Sequence, residues 1–159
     1  MIELRQYVKI LVESLEKKKK ILQALQEENK KQEEAIKKNS DTGEFDRIVE
    51  YKGQLIRELE ILDNGFENVY NRIKDELLAE KAAYRNEIAA MQKLIEEIMG
   101  LSVSVQTTEQ RNKQLVEGYF SYARGKIRQA KKSVRVANEY YKSMSRGGYS
   151  DSALLDKKK

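Results

Sequence analysis

The stretch YRNEIAAMQKLIEEIMGLSVSVQTTEQRNKQLVEGYFSYARGKIRQAKKSVRVANEYYKSM, Tyr84 to Met144, decides the fold. Within it Tyr84, Ile88, Met91, Ile95, Ile98, Ser102, Val105, Glu109, Asn112, Val116, Phe120, Ala123, Ile127, Ala130, Val134, Ala137, Tyr141 and Met144 follow one another in steps of three and four. Such steps keep side chains on one face of an α-helix, and no strand alternates this way. The spacing predicts a single helix over 83–144. Its middle is soft: Gly100, Ser102, Ser104, Thr107 and Thr108 have poor helix propensity, and Glu109 and Asn112 put polar groups in the seam. Two apolar halves joined by a polar centre predict a kink there.

Upstream the same spacing recurs twice. Leu4, Val8, Leu11, Leu15, Lys18, Leu22, Leu25, Asn29, Gln32 and Ile36 define a seam for a helix over about 2–38. The turn-forming cluster from Lys38 to Gly43 ends it. Phe45, Ile48, Lys52, Leu55, Leu59, Leu62, Phe66, Val69, Ile73 and Leu77 define a second helix over about 44–80. The tripeptide Asp63-Asn64-Gly65 interrupts its composition but not its phase, so a local distortion is expected rather than a break. A reversal within 79–85 is inferred from size, because without it one helix from Glu44 to Met144 would run about 150 Å. The short connection at Gly43 makes the first two helices an antiparallel pair. Past Met144, Gly147-Gly148 stops the helix and YSDSALLDKKK follows. The expected architecture is all-α, an elongated antiparallel bundle of three to four long coiled-coil-like helices. One bundle domain covers 1–144, and a flexible basic tail covers 145–159.

Composition agrees with this reading. Charged residues are 36% of the chain, mean hydropathy is −0.76, and 40% is nonetheless hydrophobic, with no proline at all. Charged chains that keep periodic aliphatics are long helices and coiled coils. Cysteine and histidine are both absent. Thiolate chemistry, imidazole acid–base catalysis and the Glu-x-x-His pairs of di-metal bundles are therefore out of reach. Glu96-Glu97 and Glu13/Glu16 read as solvated helix faces, and Lys17–Lys20 as a flank whose stems cover the seam. No enzyme activity, cofactor or metal is expected. The N-terminal MIELRQYVKIL does not read as a signal peptide, and no window approaches about 18 apolar residues, so no stable membrane insertion is expected.

The lengths do not balance. Helices of about 35 residues reach about 50 Å, whereas the last, of about 60, reaches about 90 Å. Its surplus apolar stripe must fold back, dimerise or take a partner, because each large side chain buried gains about 1.5–3 kcal/mol. Charge is also uneven: residues 1–43 carry a net +2, residues 44–99 a net −5 and residues 100–159 a net +8. Between Glu117 and Glu139 there is no acid, while Arg124, Lys126, Arg128, Lys131, Lys132 and Arg135 all fall there. The candidate partner-binding residues are Val116, Phe120, Ala123, Ile127, Ala130, Val134, Ala137, Tyr140, Tyr141 and Met144, a stripe suited to an amphipathic partner helix. Two readings compete with this one: the segment is ordinary core, or a basic, Tyr-studded helix binds nucleic acid. No recognisable nucleic-acid module accompanies the latter and net charge is modest, so no nucleic-acid partner is expected.

EQRNKQLVEGYFSYARGKI (Glu109–Ile127) and KKSVRVANEYYKSM (Lys131–Met144) resemble the flagellar hook-associated-protein export chaperones, the FlgN-type family. EYKGQLIRELEIL (Glu50–Leu62) is similar to that family's lysine-plus-leucine helix. The terminal LLDKKK (Leu154–Lys159) resembles Gram-positive, clostridia-like members. Asn112 with Leu115-Val116-Glu117-Gly118, and the block Ala137-Asn138-Glu139-Tyr140-Tyr141, are the specific part of the likeness. The resemblance implies a cytoplasmic chaperone that captures the C-terminal helical segment of hook-associated proteins through Val116–Met144 and its tail. It would deliver them to the flagellar type III export apparatus, with contact to export components as a further expectation. A monomer fits this role, and a dimer stays open. The alternatives are a homodimeric coiled-coil scaffold pairing these same stripes, and a sibling flagellar chaperone for another client such as the filament cap.

Overall fold

A computed structural model describes residues 3–38, 42–120 and 124–146, leaving aside the side chains of 42, 119–120, 124–131, 133 and 145–146. Helix α1 spans Leu4–Lys37 and α2 spans Thr42–Ala79. A single 3₁₀ turn, Lys81–Tyr84, leads into α3, Arg85–Phe120, and α4 spans Arg124–Arg146. The long helices pack on one another as an elongated all-helical bundle, α1 alone being about 51 Å at the standard rise. Among the described residues no helix is long and apolar enough to cross a membrane.

Cross-helix pairs give the directions. Lys18 meets Asp63 and Gln32 meets Lys52, so α1 and α2 are antiparallel. Lys19 pairs with Glu97 and Asn29 bonds Thr108, so α1 and α3 run parallel. Gln110 bonds Asn138, and Ser102 lies against Met144, so α4 runs back antiparallel along α3. Around the bundle α1 touches α2 and α3, and α4 closes the opposite side, also touching α2 and α3. Because α4 is about 35 Å long, it reaches only the half of the bundle that holds the α1–α2 turn. The other half is a three-helix bundle.

All ten residues of the expected α1 seam are buried, Lys18, Asn29 and Gln32 included. The reversal inferred for 79–85 is the 3₁₀ turn, closed by Ala83 N donating to the Glu80 carbonyl. The Asp63-Asn64-Gly65 tripeptide is helical throughout. So is the soft stretch 100–108, where a kink was expected. There the hydroxyls of Ser102, Thr107 and Thr108 bond back to the carbonyls of Ile98, Val103 and Val105 at 2.7, 2.9 and 2.9 Å. Back-bonding of this kind satisfies the hydroxyls within the helix and commonly bends it slightly.

One boundary needs correction. The single helix expected over 83–144 is two helices, α3 and α4, and the reversal falls between Phe120 and Arg124. Periodicity reports which face is apolar, not which way the chain runs. Both arms of a helical hairpin turn their stripes inward, so the phase passes through 120, 123 and 127 as though nothing happened. The tail expected at 145–159 lies, from residue 147 on, outside the described residues.

Candidate partner-binding surface

The α3–α4 hairpin carries the candidate residues. Val134, Ala137 and Tyr141 are at most 2% exposed, Tyr140 is buried, and Met144 is half-buried. Val116 is buried in α3, in a small cluster with Ile36, Phe45 and Val49. The side chains of Phe120, Ile127 and Ala130, and the whole of Ala123, lie outside the described residues. Over its described part, then, the stripe is not bare. Of the three fates open to a surplus stripe, folding back is the one adopted: Ala137, Tyr140 and Tyr141 join the main core with Leu55, Ile56, Leu59 and Val105. The helix pair α2–α3 shields them, which a straight third helix could not have allowed.

The outer face of α4 is different. Lys132, Arg135 and Lys142 are exposed, and Val136 is 44% exposed beside them. Those cations share a helix face that carries one acid, Glu139, also exposed. The helix is therefore amphipathic with a positive back.

Two polar arrangements fix α4 and its platform. The first is a latch across three helices. The hydroxyl of Tyr140 donates to Asp63 Oδ2 at 2.6 Å, while Lys18 Nζ donates to Asp63 Oδ1 at 2.7 Å. Burial lifts the Tyr140 phenol far above the ordinary tyrosine range, and the neighbouring Asp63 carboxylate adds to the lift. The proton therefore stays on the phenol, where the latch needs it.

The second arrangement is a buried polar belt. Lys52 Nζ forms an ion pair with Glu109 Oε1 at 2.7 Å and donates to Gln32 Oε1 at 2.8 Å. Asn112 donates to the Asn29 carbonyl and to Gln32 Oε1 at 2.9 and 3.1 Å, and Asn29 donates to Thr108 at 2.8 Å. Both charged members of the Lys52–Glu109 pair are at least 95% buried. The belt separates the main core from the small cluster around Val116.

The belt is itself incompletely satisfied, with Asn29 Oδ1, Gln32 Nε2 and Asn112 Oδ1 without hydrogen-bond partners among the described residues, and so is its contact with α4. Neither the Tyr141 hydroxyl nor Glu109 Oε2 has a hydrogen-bond partner among the described residues, and both are shut away from solvent. Burial raises the Tyr141 phenol far above its ordinary range, with the Glu109 charge as a further cause. Each buried polar atom left without a partner costs about 1–3 kcal/mol. The α4 interface thus combines close apolar packing with a standing penalty at its centre.

Sequence reasoning had put Lys18, Lys52, Glu109 and Asn112 in the seams but had not joined them. It missed Asp63 as a latch, having seen only a suspect tripeptide. It also missed the second stripe on α2, Val49, Ile56 and Tyr70, all buried. Those residues repeat every seven with Asp63 between them, and a second heptad stripe is the signature of a helix with a further neighbour.

Fold and surface together define a helical-bundle interaction protein whose last helix is a separately docked, amphipathic, basic element. The chain belongs to the FlgN family: the family model described as FlgN protein matches residues 1–149. FlgN proteins are flagellar export chaperones, which gives this chain its class. No curated protein matches it, and no solved structure does.

Proposed function

We propose that this chaperone binds hook-associated flagellar subunits through its C-terminal helix α4. It thereby blocks their premature assembly in the cytoplasm and delivers them to the flagellar type III export apparatus. The observation that carries this reading is the imperfect docking of α4. Val134, Ala137, Tyr140 and Tyr141 present a continuous apolar face, yet Tyr141 and Glu109 leave buried polar atoms without hydrogen-bond partners among the described residues. A client helix of matching amphipathicity can trade against such an interface, because only the difference between the two packings has to be supplied. Val116, Phe120, Ala123, Ile127, Ala130 and Met144 extend the same stripe and complete the binding surface. The cations at Lys132, Arg135 and Lys142 favour an acidic client segment and speed its encounter.

Purified protein incubated with the organism's own hook-associated and cap subunits tests the proposal. Lys132→Glu/Arg135→Glu/Lys142→Glu, all at exposed positions, should leave the helical signal unchanged and slow capture by about tenfold at low salt, less so at high salt. Ile127→Asp should abolish capture. If Ile127→Asp and Val134→Asp, each checked for retained helicity, still capture clients at the native rate, α4 is not the binding element. Capture of cap protein alone would make this a sibling chaperone for that client.

A further inference from the structure

Where α4 stops, a cleft of about 580 Å³ opens between α1, α2 and the end of α4. We propose that this cleft is the seat of the chain's own C-terminal segment, Ala153–Lys159. Its apolar surface comes from Leu15 of α1, Leu62 and Phe66 of α2 and Met144 of α4. Around it stand Glu60, Glu67 and Glu139, all exposed and none with an ion-pair partner among the described residues. Asp63 also lines the cleft, but Lys18 and Tyr140 already occupy its two oxygens. The site therefore offers a greasy floor ringed by three available carboxylates. A ligand that fits must bring aliphatic bulk and adjacent positive charge on a short segment.

The chain ends in such a segment. After Arg146 come thirteen residues, GGYSDSALLDKKK, whose last seven hold an aliphatic pair, Leu154-Leu155, and three consecutive lysines. The exit point is right as well, because Ser143 and Met144 already form part of the cleft wall. Residues 147–153 can span up to about 23 Å when extended, ample to turn back into a cleft that begins one turn away. Gly147-Gly148 stands where that reversal has to begin, and glycine accepts the turn conformations other residues resist. Seated there, the leucines cover Leu62 and Phe66 while the lysines face Glu60, Glu67 and Glu139. The tail then ties the end of α4 to α1 and α2. The inference stands whether or not α4 binds clients.

The test uses hydrogen exchange on the full chain, on a chain ending at Ser152, and on Lys157→Glu/Lys158→Glu/Lys159→Glu. Seating predicts that amides of 134–144 exchange about tenfold faster in both altered chains, while those around Leu11 do not change. Adding Glu60→Lys/Glu67→Lys/Glu139→Lys to the lysine-reversed chain should restore protection, which a merely structural loss would not do. A synthetic ALLDKKK peptide should bind the chain ending at Ser152 and release at about 0.5 M salt. Unchanged exchange on truncation, or a peptide indifferent to the Glu→Lys changes, overturns the proposal. So does protection that rises with protein concentration, which would place the tail on a second copy. A client peptide that protects 60–67 where the tail peptide does not would overturn it too.

Discussion

The half of the bundle around Leu11 and Met91 and the half around Glu109 and Tyr141 use the same spacing, yet different physics holds them. In the first, Leu4, Val8, Leu11, Leu15, Ile73, Leu77, Ile88, Met91 and Ile95 meet in an apolar seam, with Gln92 a buried polar side chain beside it. In the second, Asn29, Gln32, Lys52, Glu109 and Asn112 fill the equivalent positions, and a fourth helix covers them. Apolar seams tolerate sliding and give most of their stability to any close packing. A connected polar belt permits one register and penalises every other. The contrast suggests a division of labour: a permanent three-helix shaft, and an end that is specified sharply but can be opened.

The largest effect that could break this comparison lies at the ion pair. Lys52→Met alone leaves Glu109 buried without its counter-ion and should cost about 3–5 kcal/mol in denaturant unfolding. The double change Lys52→Met/Glu109→Leu should recover most of that loss, since a buried pair traded for apolar residues is close to neutral. If the single change is tolerated as easily as the double, the belt is not a register device and the two halves are alike.

Much of the shaft is legible in the sequence. Steps of three and four pick out the α3 seam from Tyr84 to Val116, all of it buried but the half-buried Ser102, because burial and period are the same fact in a helix. What periodicity does not encode is direction, so the reversal between Phe120 and Arg124 passed unseen. Pairing was equally hidden. Lys52 and Glu109 lie 57 positions apart, and only the antiparallel and parallel packing of three helices brings them to 2.7 Å. Asp63 read only as part of a local distortion because its partners, Lys18 and Tyr140, lie on other helices.

A pH titration sharpens the same contrast. The phenols of Tyr140 and Tyr141 titrate above the ordinary value of 10.0 in the folded chain. The folded state therefore holds protons that the unfolded state releases once pH passes about 10. Stability from these groups is complete below that pH and declines as pH rises beyond it, so α4 should be the first element to leave. With Tyr70, also raised by burial and by Asp75, as a separate delayed step, tyrosinate absorbance should show these two ionising late and together with loss of α4 protection. Tyr140→Phe/Tyr141→Phe should remove that late step. Their ionisation near the ordinary value of 10.0, with α4 still protected, would contradict the buried geometry.

Tyr141→Phe by itself addresses the imperfect centre of the α4 interface. The hydroxyl lies buried without a hydrogen-bond partner among the described residues, so removing it deletes a penalty and none of the described hydrogen bonds. Stability should rise by about 1 kcal/mol. Client capture should weaken, because a better-docked α4 opens less often. A destabilised Tyr141→Phe would mean that the hydroxyl is satisfied in solution and that the docking is tighter than its geometry.

The smallest effect tests the shaft. Gly65 sits in the middle of α2, on its exposed side, and a Cβ built there meets nothing within 4 Å. If Asp63-Asn64-Gly65 is ordinary helix, Gly65→Ala removes backbone freedom from the unfolded chain without adding strain, and stability should rise by about 0.5–1 kcal/mol. The latch depends on that continuity, since Asp63 reaches Lys18 and Tyr140 together only from a regular helical turn. A loss of stability on Gly65→Ala would mean that the tripeptide bends in solution. Asp63 would then swing away from at least one partner, and α4 would lose its tie to the shaft.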